Sequence, residues 1–198
     1  MTNKGRPRSA KTEKAILAAA YKLLLEKGFH TVTIEGIAKE AGVSKATIYK
    51  WWPNKAAVVV DSFFAASEEL IPTPDTGSVE KDLFIQLNNL SAFLITDQGR
   101  IITELIAEGQ FDPEVAKAYR TGYFQPRRLA SRILLERGIQ RGELKQDLDV
   151  ELSIDLIFAP LFYRLLITGA EINADYLKDV VTYALMGIRR NPMAADGE

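Results

Sequence analysis

Between Thr31 and Lys55 the chain runs TVTIEGIAKEAGVSKATIYKWWPNK, and the fold turns on how its caps and stops are read. Thr33 precedes Ile34, Ile37, Ala38 and Ala41, apolar residues at helical spacing, which predicts an N-cap followed by a short helix. Gly42 stops that helix. Ser44 is the next cap and opens a third helix over Lys45–Trp52. Pro53 ends it, because the residue before a proline is driven out of helical geometry. Two short helices joined by the turn Ala41-Gly42-Val43-Ser44 are the sequence form of a helix-turn-helix.

Upstream, Ser9 or Thr12 caps a first helix in which Ile16, Leu17, Ala20, Leu23 and Leu24 recur at helical spacing. Gly28, after Lys27, stops it, and Phe29 packs back on it. Downstream, Asn54 caps a fourth helix from Lys55 to about Leu70. Residues 71–78 interrupt the pattern with Pro72, Pro74 and Gly77, which places a boundary or hinge there. No β pattern follows. Helices are expected over Val79–Thr96, Gly99–Gln110 and Pro113–Gly142, the last kinked or divided at Pro126. Asp149 opens another to about Ile167, closed by Gly169. Asn173 caps a final helix with Tyr176, Leu177, Val180, Val181, Ala184, Leu185 and Ile188 on one face. The expected fold class is all-α: a three-helix domain over residues 1–55 with a basic N-terminal arm, then a helical bundle over 56–198.

Composition narrows the chemistry. The chain has 198 residues, 47% of them hydrophobic, enough for a substantial core. Without cysteine it has no disulfide and no thiolate metal site, and His30 is its one histidine. Glu104 and Glu108 lie four apart on one helix, yet no histidine accompanies them, so they read as a solvated face. No nucleophile–base pair, phosphate loop or metal constellation is legible, and neither an enzyme nor a cofactor is expected. The N-terminal residues are polar and basic, without the apolar segment of a signal peptide. The longest nearly unbroken apolar run, Ile157–Ile167, is 11 residues, against about 20 for a membrane helix. A cytoplasmic protein without a membrane partner is expected.

The net charge of −1 conceals a split. Residues 1–60 hold 11 Lys and Arg against 4 acids, a balance of +7; the remainder holds 14 against 22, or −8. This is the pattern of a basic module for a polyanion on an acidic body. On the third helix, Ile48 and Trp52 share one face and should pack inward. Ala46, Thr47 and Lys50 then point outward, flanked by Lys45 and Tyr49 on one side and Trp51 on the other. Such a face suits a DNA major groove: lysine reaches phosphate or guanine, threonine a base edge or thymine methyl, tyrosine a phosphate, and Ala46 permits close approach. Helix starts at Thr33 and Ser44 offer amides and a positive dipole to phosphates. Lys55 is a further phosphate candidate, and Arg6 and Arg8 would reach a minor groove or the backbone. Trp51 either packs beside Trp52 or touches the DNA.

Residues 31–55 resemble the signature of the tetracycline-repressor (TetR) family, and Ile16–Ala20 with Gly28 and Phe29 resemble that family's first helix and its stop. Residues 147–188, through Asp147-Leu148-Asp149 and Ala159–Leu166, resemble the C-terminal part of one regulator subfamily. The resemblance implies an all-α homodimer whose first three helices bind operator DNA and whose larger helical domain, 56–198, binds an effector and dimerises. By position it implies that Thr33, Ser44, Lys45, Ala46, Thr47, Tyr49, Lys50, Trp51 and Lys55 touch double-stranded DNA. Two departures stand out: Ala46 where the family often has glycine, and Trp51-Trp52 where it usually has a His-Phe pair.

Ile157–Ile167 is apolar on nearly every side, which demands burial all round. One side packs on the monomer and another on a second copy. The last two helices, about 149–168 and 174–190, are therefore the expected homodimer interface, presenting two recognition helices to a pseudo-palindrome. The leading reading is a ligand-released repressor. A helical carrier with a basic end and an architectural protein binding DNA without sequence preference are the alternatives. The small-molecule effector and its pocket residues have no signature in the sequence.

Overall fold

The computed structural model describes residues 10–67 and 73–189. Those residues form ten α-helices: α1 Ala10–Thr31, α2 Ile34–Ala41, α3 Lys45–Tyr49, α4 Lys55–Ser67, α5 Val79–Leu94, α6 Asp97–Glu108, α7 Pro113–Tyr119, α8 Gln125–Gln140, α9 Val150–Tyr163 and α10 Ala174–Ile188. Two π-helical turns, Arg120–Phe124 and Arg164–Thr168, follow α7 and α9. No strand occurs among the described residues, only one isolated bridge, Leu144 to Arg189. The expected basic arm with Arg6 and Arg8, the Ser9 cap, Ile71-Pro72 and the tail from Asn191 lie outside the described residues.

The helices pack as two compact units, interleaved along the chain rather than consecutive. The first contains α1–α4 together with α6, α7 and the π turn after α7. Gly28 breaks α1 with φ 71° and ψ 166°, a conformation open to glycine, and turns Phe29 inward. α2 runs from its Thr33 cap to Gly42, whose φ of 65° is left-handed. The Val43 amide donates to the Ala38 carbonyl at 2.9 Å and the Gly42 amide to Lys39 at 3.3 Å, which seals the helix end. α3 stops at Tyr49, short of the expected Trp52. The amides of Trp51 and Trp52 both donate to the Ile48 carbonyl, at 2.9 and 3.0 Å, tightening the last turn as Pro53 forces the chain out. Asn54 caps α4 through the Ala57 amide at 2.9 Å. α1 packs on α2, α4 and α6, and α4 packs on α7 and the following π turn. The core of this unit is Ile16, Leu24, Ile37, Ile48, Val59 and Phe63.

The second unit contains α5 and α8–α10. α5 packs on α8 and α10, and α9 on α8 and α10, around Leu83, Leu87, Leu134, Leu135, Leu144 and Ile157. The expected break at Pro126 is a division. The π turn ends at Phe124 and α8 starts at Gln125, so the proline sits in a first turn where its missing N–H costs least. Thr76 donates its amide to the buried Asp82 at 2.8 Å, and Arg137 and Arg141 lie 3.3 and 3.7 Å from Asp75, tying down the segment before α5. Arg128 joins α8 to α9 through Glu151 at 2.5 Å and Asp155 at 2.6 Å.

Ile157–Ile167 is not buried all round within the chain. Ile157 and Leu161 are inside, while Leu152 and Leu156 before them, and Tyr163, Leu166 and Ile167, are exposed. On α10, Leu177, Val181, Leu185 and Ile188 are buried, and Tyr183 and Met186 face out. Between the two helices runs an apolar groove of about 830 Å³ lined by Leu152, Leu156, Pro160, Tyr176, Val180 and Tyr183. No helix among the described residues is long and apolar enough to cross a membrane.

Candidate nucleic-acid interface

Five residues of α-helix make little more than one turn, far below the length at which a helix holds itself together. α3 is therefore held from its two ends and its inner face. At its start, the Ser44 hydroxyl accepts the Thr47 amide at 3.2 Å and lies 3.0 Å from the Thr47 hydroxyl. On its inner face Ile48 is fully buried. At its end Trp52 is buried, its ring edge-on to Trp51 with centroids 5.6 Å apart. The indole N–H of Trp52 donates to Asp61 on α4 at 2.6 Å. Buried tryptophan needs such an acceptor.

With that face fixed, Lys45, Ala46, Tyr49 and Lys50 are exposed together on the outside of α3. Lys50 makes no ion pair among the described residues. The outer face thus offers a cation, a phenol and a small residue, a mixture that can read base edges as well as phosphate. Thr33, also exposed, caps α2 by accepting the Gly36 amide at 3.1 Å. The starts of α2 at Thr33 and of α3 at Ser44 both have first-turn amides beyond the reach of intrahelical carbonyls.

Three expected contact residues have other engagements. Lys45 is 2.6 Å from Glu35 on the first turn of α2. The hydrogen bond raises the lysine pKa and lowers that of the glutamate. Thr47 is half-buried and committed to the Ser44 cap. Lys55 is half-buried, donates to the Phe29 carbonyl at 2.9 Å and lies 4.1 Å from the centre of the Phe29 ring. Burial lowers its pKa, and Glu108 and Asp112 oppose that shift. Trp51 is half-buried beside Trp52.

Around this surface the acids of α6 and α7 hold the ends of α1 and α4. Glu104 accepts the Phe29 amide at 3.4 Å, Glu108 lies 3.3 Å from His30, and Glu114 accepts from Asn54 at 3.1 Å. The Glu104–Glu108 spacing therefore serves as a brace for α1. Sequence reasoning missed Glu35 and Asp61. The first had no signal beyond an acid ten residues before Lys45; the second was findable, since a buried indole calls for an acceptor and α4 supplies Asp61 in its second turn. Among the described residues no cluster of three or more metal-ligating side chains occurs.

The chain matches two family models. Residues 16–61 match "Bacterial regulatory proteins, tetR family", and residues 73–184 match "Tetracyclin repressor-like, C-terminal domain". It is 55% identical over 188 residues to the HTH-type transcriptional regulator YdeS of Bacillus subtilis, covering 95% of each chain. It is 29% identical to the DNA-binding transcriptional repressor TetR of Mycobacteroides abscessus, over 85% of this chain and 87% of that one. Among solved structures, the TetR family transcription regulator SCO0332 superposes with a TM-score of 0.80 at 36% identity, over 89% of this chain and 98% of that one.

Proposed function

The chain belongs to the tetracycline-repressor family of bacterial regulatory proteins and is a DNA-binding transcriptional regulator, and from that premise we propose that it is a ligand-released repressor. It binds a pseudo-palindromic operator as a homodimer in the cytoplasm, associated with the nucleoid while bound, and it acts by binding rather than by catalysis. Residues 1–55 carry the operator contacts, and residues 56–198 carry effector binding and dimerisation. The observation that carries this reading is the outer face of α3, where Lys45, Ala46, Tyr49 and Lys50 are exposed together on a helix held from behind by Ile48 and Trp52.

Within that reading, Lys50 and Tyr49 contact the groove directly. Thr33 and Ser44 present helix-start amides to phosphate, Thr47 and Trp51 line the flanks, and Lys45 engages phosphate by exchanging Glu35 for it. Lys55 acts from behind, through the Phe29 turn. Dimerisation runs through α9 and α10, whose exposed leucines and tyrosines form the kind of contiguous apolar surface a monomer rarely leaves in water. Effector binding favours an arrangement in which the two α3 helices no longer match the half-site spacing, by its differential affinity for the two arrangements.

Fluorescence anisotropy on duplexes from the DNA flanking the gene, against a random duplex and across salt, tests the reading. Specific regulators discriminate by more than about 10³. Lys50→Ala and Tyr49→Phe should weaken the specific complex while leaving melting curves unchanged. Equal, weak binding to both duplexes with a steep salt dependence would instead make the basic end an electrostatic, architectural surface.

A further inference from the structure

We propose that Asp61 is a positioning residue for operator recognition, setting the orientation of α3 through the Trp52 indole, and that Gly122 in turn fixes the place of Asp61. α3 is too short to hold its own direction, so whatever grips its C-terminal end aims Tyr49 and Lys50. That grip is the 2.6 Å hydrogen bond from Trp52 Nε1 to Asp61 Oδ2. Trp52 is buried, its amide is bound to the Ile48 carbonyl at 3.0 Å, and its ring abuts Trp51. A rotation of the indole therefore carries the last turn of α3 with it.

Asp61 lies in the second turn of α4, where the π turn Arg120–Phe124 presses against it. A Cβ on Gly122 would stand 2.9 Å from Val60 Cγ1, closer than real Cβ atoms approach, and 3.3 Å from Asp61 Oδ1, a tight contact. Tyr123, the next residue, is buried against Phe63 with ring centroids 5.4 Å apart. A π turn is a rare backbone form concentrated at functional places, and here it brings a glycine to the residue that holds Trp52. The chain leaves the first compact unit immediately after this turn, at Phe124–Gln125. The line Gly122, Asp61, Trp52 thus joins the exit of that unit to the DNA-reading helix through one hydrogen bond and through the space beside Val60 and Asp61 that the missing Cβ of Gly122 leaves. Base readout depends on aim and phosphate attraction does not, so loss of this line should cost selectivity first.

The test uses the full chain and a duplex that the wild type selects from a randomised library, with a random duplex alongside. Asp61→Ala and Trp52→Phe should each cut the ratio of selected to random affinity by about tenfold or more, the size of one mispaired contact. The double variant should lose no more than either single one. Asp61→Asn keeps a carbonyl acceptor and should retain the ratio, and tryptophan emission should shift for Asp61→Ala but not for Asp61→Asn. Gly122→Ala should lower the ratio, and adding Val60→Ala, which removes the clashing methyl, should restore it. Wild-type selectivity in Asp61→Ala, an equal loss on both duplexes, or failure of Asp61→Asn as severe as that of Asp61→Ala would overturn the proposal. Should Asp61→Ala not fold, unaltered selectivity in both Trp52→Phe and Gly122→Ala overturns it equally. A wild type that selects no duplex at all would sink the operator reading, and this inference with it.

Discussion

Leu156→Glu is the sharpest perturbation of the proposed dimer face. Leu156 is 59% exposed in the single chain, on the groove wall of α9. Fully burying a leucine is worth about 1.5–3 kcal/mol, so covering the exposed share is worth roughly 1–2 kcal/mol in each copy. A two-fold interface contains the residue twice, which brings the loss to roughly 2–4 kcal/mol before any cost of burying the introduced carboxylate. At 1.4 kcal/mol per factor of ten, the dimer Kd should rise by about 30-fold to 1000-fold. Tyr183, 72% exposed, lines the same groove as Leu156. Sedimentation equilibrium over a concentration series reads the Kd directly. Circular dichroism checks that the chain remains helical, since Leu156 is not a core residue. Lys81→Glu, on an exposed position of α5, is the charge-changing control. A Leu156→Glu protein with the wild-type Kd would refute the α9–α10 interface, because no seam through this groove can accommodate two carboxylates without penalty.

Two further outcomes follow from the first unit. Ile48→Ala should destabilise it by roughly 2–5 kcal/mol, because Ile48 is 0% exposed and joins α3 to the core; a urea melt that does not move would mean that α3 is not packed through this side chain. Glu35→Gln should free Lys45 and tighten binding to random duplex, making the slope of log affinity against log salt steeper by about 0.9. Lys45 holds the Glu35 carboxyl below the usual carboxylate range. The pair is therefore intact at neutral pH and is lost only as pH falls below that range, and the difference between variant and wild type should close in the same direction. An unchanged slope at neutral pH would show that Lys45 gains no phosphate.

The caps and stops were legible because each is a local matter. Thr33, Ser44, Asn54, Asp149 and Asn173 cap helices through amides three residues on. Gly28, Gly42 and Gly169 take the positive φ that their positions demand. The inward side of α3 was equally legible, since Ile48 and Trp52 follow from helical spacing. What sequence spacing did not convey was engagement. Lys45, Thr47 and Lys55 read as free outward groups, yet Glu35, the Ser44 hydroxyl and the Phe29 carbonyl hold them. Glu35 and the Phe29 carbonyl lie on other helices, where no periodicity points, and the Ser44 cap was legible while its hold on the Thr47 hydroxyl was not.

By itself, then, the sequence determined the helices, the helix-turn-helix and the residues at its outer face, because hydrogen bonds within a few residues and the 3.6-residue period decide such things. Only the tertiary structure decided that α6 and α7 pack with the helix-turn-helix while α5 packs with α8–α10. It alone decided that Asp61 receives the Trp52 indole and that Leu152, Leu156 and Tyr163 of the apolar α9 stay uncovered in one chain. These depend on which distant faces meet, and an apolar face records that it must be covered without recording by what.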